Sequence, residues 1–179
     1  MAIYLTRHSE ATHNAEGIFA GSQIDSSLTE QGKLEAIQRG KDILAKYKID
    51  RIIVSGLQRS QQTGRRIARE IASEEILEIN LDLNEVDVGS FSGKSRSEAH
   101  LIDPLALHTF IEGEVVDWQF PAGQSFRSIK DRSDRFIETL AEYQGNTLVI
   151  GHAMINRVIL NTTSKDIAGE FAHTQIIEL

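Results

Sequence analysis

The chain has 179 residues, which suits one domain with a substantial core, and we expect a single domain over residues 1–179. The absence of cysteine excludes disulfides, thiol catalysis and thiolate metal sites, and it suits a cytoplasmic location. The net charge of −7 argues against nucleic acid, which is usually bound by a basic face. Neither a signal-peptide core nor an apolar run of the ~20 residues that span a membrane is found in the sequence.

Strand-like and helix-like patterns alternate along the chain. Short apolar or β-branched segments predict strands at residues 2–6, 51–55, 76–79, 147–151 and 175–179. Between them, periodic apolar residues predict a helix capped by Thr29, one at 58–72, one capped by Ser125 and one ending near residue 160. The first of these helices is expected to bury Ala36, Ile37, Gly40, Ile43, Leu44 and Tyr47. The alternation predicts an α/β fold: a three-layer sandwich with a mostly parallel central sheet and helices on both faces.

Polar residues follow three of the predicted strands. Arg7 and His8 lie just beyond the first strand, Ser55 and Arg59 follow the second, and His152 follows the strand at 147–151. Ligands of parallel sheets bind at the carboxyl ends of the strands, so these side chains are expected at one edge. Two basic side chains and two imidazoles at one edge predict an anion site.

These residue types are suited to transfer of a phosphoryl group. The guanidinium groups of Arg7 and Arg59 can each bind two phosphate oxygens and neutralise their charge. A neutral imidazole such as that of His8 can attack phosphorus, which divides the reaction into two displacements. Glu85, on a predicted loop, can donate a proton to the leaving group if its carboxyl is kept protonated.

Taken singly, each of these residues also has a structural interpretation as a strand-end hydrogen bonder, a solvent-facing charge or a loop acid. Four other histidines are assigned that structural role, because their spacing forms no recognisable metal site: His13, His100, His108 and His173. The sequence also lacks a glycine-rich phosphate loop of the Walker type, so ATP hydrolysis is not supported. Neither a metal nor another cofactor is predicted.

The ordered set of motifs resembles the histidine phosphatase superfamily, the phosphoglycerate-mutase-like group, from Ile3 to at least Arg157. Its opening motif is similar to the segment Leu5-Thr6-Arg7-His8-Ser9-Glu10 followed by Asn14. Further signatures are similar to Leu28-Thr29-x-x-Gly32, Ser55-x-Leu57-x-Arg59-x-x-x-Thr63, Glu85-x-x-x-Gly89-x-x-x-Gly93, Pro121-x-Gly123-x-Ser125 and Val149-Ile150-Gly151-His152 with Asn156-Arg157.

The resemblance implies roles for individual residues. His8 would be the phosphorylated nucleophile, and Glu85 would be the general acid and afterwards the base that activates water. Arg7, Arg59 and His152 would form the phosphate pocket, with Asn14 and Ala153 as additional contacts. The chemistry of the family needs no metal.

Two positions depart from the family pattern. Ser9 and Ala153 stand where the family usually has a glycine after each histidine, and a Cβ at these positions can reshape the phosphate cradle. The charged and nucleophilic positions are all retained, so we expect an active enzyme rather than a catalytically impaired protein that binds a phosphorylated ligand.

The sequence favours a phosphomonoesterase acting on a small phosphorylated metabolite over a mutase. The chain ends at Leu179, without the C-terminal tail that helps mutases of this family retain a bisphosphate, so the phosphohistidine is expected to be open to water. The presence of Glu85 favours an oxygen ester as substrate.

A variable segment at about 93–125 is expected to border the substrate. Its stretch from 97 to 126 holds acids but no lysine or arginine, which predicts a neutral or amine-bearing leaving group and poor turnover of bisphosphates.

Overall fold

The computed structural model describes residues 1–71, 77–112, 118–163, 172–173 and 175–179. These residues form five strands: β1 (Ile3–Arg7), β2 (Arg51–Val54), β3 (Leu77–Ile79), β4 (Thr147–Gly151) and β5 (Ile176–Glu178). The helices are α1 (Thr12–Ala15), α2 (Glu30–Lys46), α3 (Gln58–Glu70), α4 (Arg96–Ile102), α5 (Pro104–Glu112), α6 (Phe126–Ala141) and α7 (Ala153–Thr162). None of the described helices is long and apolar enough to cross a membrane.

The strands form one mixed sheet in the order β3-β2-β4-β1-β5. The pairs β2–β3, β2–β4 and β1–β4 are parallel, and β5 runs antiparallel to β1 at the edge. The register aligns Arg7 with Gly151, so β1 and β4 end side by side. The residues after both strands therefore emerge next to each other.

Alternate side chains of the strands are buried on opposite faces of the sheet. Tyr4, Ile52 and Ile150 pack on the face covered by α2 and α3, together with Ile43 and Ile67. The other face buries a second set of side chains against α6, α7 and the segments before them: Leu5, Ile53, Val149, Ile129, Phe136, Ile155 and Ile159. The predicted α/β sandwich with helices on both faces is thereby confirmed.

Several predicted boundaries differ from those observed. The helix expected at 58–72 ends at Glu70 in α3, and the strand expected at 76–79 is Leu77–Ile79, with residues 72–76 outside the described part. The polar stretch after His8 contains the four-residue helix α1, which is too short to show a periodic pattern. Leu44, predicted to be buried, is 59% exposed because it follows Ile43 around the helix and faces away from the sheet.

Candidate active site

The loop after β1 is held against the start of α2. Thr29 caps α2 through the Gly32 amide, and its hydroxyl donates to Glu10 Oε1 at 2.6 Å. The Thr29 amide donates to the Glu10 carbonyl at 3.1 Å. A Cβ on Gly32 would lie 1.9 Å from that carbonyl oxygen, so glycine is required for this close approach. The contacts fix the chain that carries His8.

His8 is 2% exposed, and its Nδ1 lies 2.7 Å from the carbonyl oxygen of Ser9. Because a carbonyl can only accept, Nδ1 carries the ring proton and Nε2 is left with a lone pair. Burial lowers the pKa of His8 well below its usual value, and the nearby His152, Arg7 and Arg59 lower it further. His8 is therefore neutral at neutral pH, as a nucleophilic imidazole must be.

His152 is fully buried at the N-terminus of α7, with its ring centroid 5.0 Å from that of His8. Its Nδ1 accepts from Arg59 Nε at 3.2 Å, so the proton is on Nε2, which donates to the Ser55 hydroxyl at 2.7 Å. Burial, followed by the charges of Arg59 and Arg7, lowers the pKa of His152 well below its usual value. The predicted contact between His152 and phosphate would require one of these bonds to be exchanged.

Arg59 lies in the first turn of α3 and is 1% exposed. Besides His152, its guanidinium donates to the carbonyls of Gly21 at 2.7 Å and Ile24 at 3.0 Å. Burial lowers the pKa of Arg59 to about 10, so the side chain remains charged at neutral pH. Arg59 therefore brings positive charge to the site and ties it to the loop at residues 21–24.

A cavity of about 250 Å³ lies at this edge of the sheet. Six of the seven predicted site residues line it: Arg7, His8, Asn14, Arg59, Glu85 and Ala153. The seventh, His152, lies next to His8, with the two ring centroids 5.0 Å apart. Residues that are far apart in the sequence are thus brought together, and the cavity is rich in cationic groups.

Glu85 reaches the cavity from the segment between β3 and α4. Its carboxylate accepts from the amides of Met154 and Ile155, each at 3.3 Å, at the start of α7. These amides belong to the positive end of a helix dipole, which favours an anionic partner there. Glu85 is therefore held at the same helix end whose first residue, Ala153, faces the cavity.

The backbone at the two departures from the family pattern is unstrained. Among the described non-glycine residues, the sole positive φ is at Ala122, so neither Ser9 nor Ala153 requires glycine. The Ser9 amide donates to Thr63 Oγ1 at 3.1 Å, and its carbonyl accepts the His8 ring proton. Asn14 uses its side-chain oxygen to accept from the Ala11 amide at 3.0 Å, which orients the side chain toward the cavity.

Three polar residues near His8 were not predicted as part of the site. His13 lines the cavity, with Nδ1 2.6 Å from the Ser26 hydroxyl, and burial lowers its pKa to about 3. His173 contacts the His8 carbonyl, and buried Arg39 donates to the carbonyls of Arg7 and His173. No spacing in the sequence connects these residues to His8, although His13 directly precedes the predicted Asn14.

Two further arginines, Arg96 and Arg157, also line the cavity. Arg96 lies one residue before the stretch without lysine or arginine, and Arg157 lies in α7, so both come from outside that stretch. The neutral or amine-bearing leaving group stays a prediction. The acids of that stretch are Glu98, Asp103, Glu112, Glu114 and Asp117, of which Glu114 and Asp117 lie outside the described residues.

His100 and His108 line a groove along α4 and α5 that adjoins the cavity and shares Gly17 and Arg96 with it. Within the part of the chain that the structure describes, no group of three or more His, Cys, Asp or Glu side chains is arranged to hold a metal ion.

The known proteins that this chain resembles in sequence include phosphatases and phosphoglycerate mutases. The chain is 31% identical over 178 residues to metal-independent phosphoserine phosphatase of Arabidopsis thaliana, covering 97% of this chain and 74% of that protein. It is 28% identical over 159 residues to adenosylcobalamin/alpha-ribazole phosphatase of Escherichia coli K12, covering 85% and 73%. A 2,3-bisphosphoglycerate-dependent phosphoglycerate mutase of Bartonella bacilliformis is 37% identical over 99 residues, which is 54% of this chain and 48% of the mutase.

The fold is also that of solved phosphatases. A mycobacterial glucosyl-3-phosphoglycerate phosphatase superposes with a TM-score of 0.85 over 99% of this chain and 90% of its own, at 18% identity. The family model of the histidine phosphatase superfamily (branch 1) matches residues 3–176. With the arginines, histidines and acid of the motifs gathered around one cavity, the chain belongs to the histidine phosphatase superfamily, branch 1.

Proposed function

We propose that this protein is a metal-independent phosphatase that hydrolyses a small phosphorylated metabolite through a phosphohistidine on His8. The observation that carries the proposal is the hydrogen bond from His8 Nδ1 to the Ser9 carbonyl, which leaves Nε2 as the nucleophile in a cavity lined by arginines. A cytoplasmic location belongs to the same proposal.

In the first step, the phosphate dianion binds to Arg7 and Arg59, with Asn14 and the amide of Ala153 as further donors. The lone pair of His8 Nε2 forms the bond to phosphorus while the bond to the ester oxygen breaks. The carboxyl of Glu85 gives its proton to that oxygen, so an alcohol leaves rather than an alkoxide.

In the second step, water attacks the phosphohistidine from the side that the alcohol has left. Glu85, now a carboxylate, accepts a proton from that water as the P–N bond breaks. The products are inorganic phosphate, neutral His8 and protonated Glu85, so the cycle closes without a redox partner.

The proposal is tested by assaying the protein on a panel of phosphometabolites in the presence of a chelator. The panel includes phosphoserine and alpha-ribazole phosphate, which are suggested by the names of the related phosphatases. We expect release of inorganic phosphate that persists in chelator and disappears in His8→Ala. Retained phosphate binding without turnover would instead support a phospholigand-binding protein.

Mutase activity is the second candidate, because the chain resembles phosphoglycerate mutases over about half their length. The two functions differ in the fate of the phosphohistidine, which goes to water in one and to a second hydroxyl in the other. Incubation with 3-phosphoglycerate and a trace of bisphosphoglycerate separates them. Isomerisation faster than phosphate release would identify a mutase.

A further inference from the structure

The peptide group that joins His8 to Ser9 is held at both ends. Its carbonyl oxygen lies 2.6 Å from His173 Nδ1, which must carry a proton because a carbonyl only accepts. Its amide donates to the hydroxyl of Thr63 at 3.1 Å. The plane of this peptide is thus fixed between the C-terminal segment and α3.

The orientation of this peptide plane bears on the nucleophile. The carbonyl that accepts the His8 ring proton belongs to Ser9, the next residue along the chain. The hydrogen bonds at both ends of the His8–Ser9 peptide restrict ψ of His8 and φ of Ser9, the two torsions that set where this carbonyl lies relative to the His8 ring. If the peptide is released, changes in these torsions can separate the ring from the carbonyl, and the bond that keeps the proton on Nδ1 would weaken. A histidine that loses this bond can place its proton on Nε2, where it blocks attack.

His173 is itself fixed by a buried charge. Arg39 is 4% exposed and donates to the carbonyl of His173, and at 2.6 Å to the carbonyl of Arg7. The Thr6 hydroxyl donates to the Gln175 carbonyl at 2.7 Å, which ties the same segment to β1 a second time. Hydrogen bonds from a charged group are among the stronger ones in proteins, so the position of His173 is well defined.

We propose that His173 is a positioning residue for His8, which holds the His8–Ser9 peptide so that the nucleophile keeps its reactive tautomer. The inference rests on the proposed nucleophilic role of His8. His173 acts through the peptide group and not on the phosphoryl group, because its Nδ1 is committed to the His8 carbonyl and its ring meets the His8 ring at its edge, with centroids 5.3 Å apart.

The test compares two substitutions of nearly the same shape. His173→Asn retains an N–H donor close to the position of Nδ1, whereas His173→Leu removes the donor. We expect His173→Leu to lower kcat about tenfold, the effect of one lost hydrogen bond, with KM changed less than about threefold. His173→Asn should stay within about threefold of wild type, and because an amide does not titrate, this rescue excludes an acid–base role.

A second measurement reports on the resting enzyme and needs no turnover. The ¹⁵N chemical shifts of the His8 ring show which nitrogen carries the proton, and we expect the Nε2-protonated form to appear in His173→Leu but not in His173→Asn. His100→Leu is the control, because His100 is exposed on α4 and outside the cavity around His8. If the wild-type protein hydrolysed no phosphoester in the presence of a chelator, the proposed function would be refuted. The ¹⁵N chemical shifts of His8 would still test the present inference, because they need no turnover.

Equal kcat and the same His8 tautomer in wild type and His173→Leu would overturn the inference. The inference would also be overturned if His173→Asn had a kcat as low as that of His173→Leu while its unfolding midpoint was unchanged. If the Leu variant does not fold, His173→Gln takes its place, since it moves the same amide one methylene away. A Gln variant with wild-type kcat and tautomer would then overturn the inference, and one slower than Asn with a shifted tautomer would support it.

Discussion

At the residue scale, Glu85 combines two tasks, because the carboxylate proposed as the acid also accepts from the first amides of α7. Replacement by Gln keeps an acceptor for α7 but cannot supply the proton. We therefore expect Glu85→Gln to slow hydrolysis of alkyl phosphates by about 100-fold or more, and that of activated aryl phosphates much less. Steady-state kcat on a series of leaving groups checks this, and equal losses across the series would show that Glu85 is not the acid.

Ser9 gives a second prediction at this scale. Its hydroxyl is buried, and within the described part of the chain it has no hydrogen-bond partner. Removing an unpaired buried polar group is stabilising, so Ser9→Ala is expected to raise the free energy of unfolding by about 1 kcal/mol and to retain activity. Urea unfolding and phosphatase assays measure both. A fall in stability, or a large loss of kcat, would mean that the hydroxyl has a role that the resting structure does not display.

At the element scale, Arg59 links α3 to the loop at residues 21–24 through two carbonyls. A lysine keeps the charge but cannot reach both carbonyls and His152 together. In Arg59→Lys we expect binding of inorganic phosphate to weaken about tenfold. The amides of Ser22 and Ile24, which donate within or near this loop, should also exchange faster with solvent.

The control for Arg59→Lys is Arg65→Lys, on the exposed side of the same helix. It should change neither phosphate binding nor amide exchange. Tight phosphate binding combined with unchanged exchange in Arg59→Lys would show that Arg59 does not fix this loop.

The elements also show how far the sequence predicts the site. Arg7, His8 and Arg59 follow or lie near strand ends, and a parallel sheet brings such ends together whatever the details of packing. The position of His173 beside His8 was not predicted, because it depends on β5 pairing antiparallel with β1, where Ile176 lies opposite Thr6, and the sequence predicted a strand at 175–179 without its neighbour or direction. Leu44 shows a second limit, since a helical pattern gives the width of the apolar face less precisely than its direction.

At the scale of the whole molecule, four histidines of the site, His8 included, are neutral at neutral pH; His8, His13 and His152 are buried, and His173 is half-buried. Burial lowers the pKa of His13 to about 3 and of His173 to about 4, and those of His8 and His152 lie well below their usual value. An unfolded chain takes up protons at these positions as the pH falls below about 6.5, while the folded protein does not. The contribution of these neutral histidines to the free energy of unfolding is therefore fully present above about pH 6.5. It is lost progressively as the pH falls toward 4.

Urea unfolding at a series of pH values between 7.5 and 4.5 measures this effect. We expect the free energy of unfolding to decrease by up to about 1.4 kcal/mol per pH unit for each such histidine. His13→Gln should reduce the slope, because it removes one group that gains a proton only on unfolding. The same midpoint at pH 7 and pH 4.5 would show that these histidines are not kept neutral by the fold.

Formation of a phosphoenzyme on His8 tests the central claim most directly. The protein is mixed with a ³²P-labelled phosphomonoester that it hydrolyses, quenched within one turnover, and digested to locate the label. We expect a label that is stable to alkali and labile to acid on the peptide that contains His8, and none in His8→Ala. A label on another residue, or full turnover by His8→Ala, would contradict the assignment of His8 as the nucleophile.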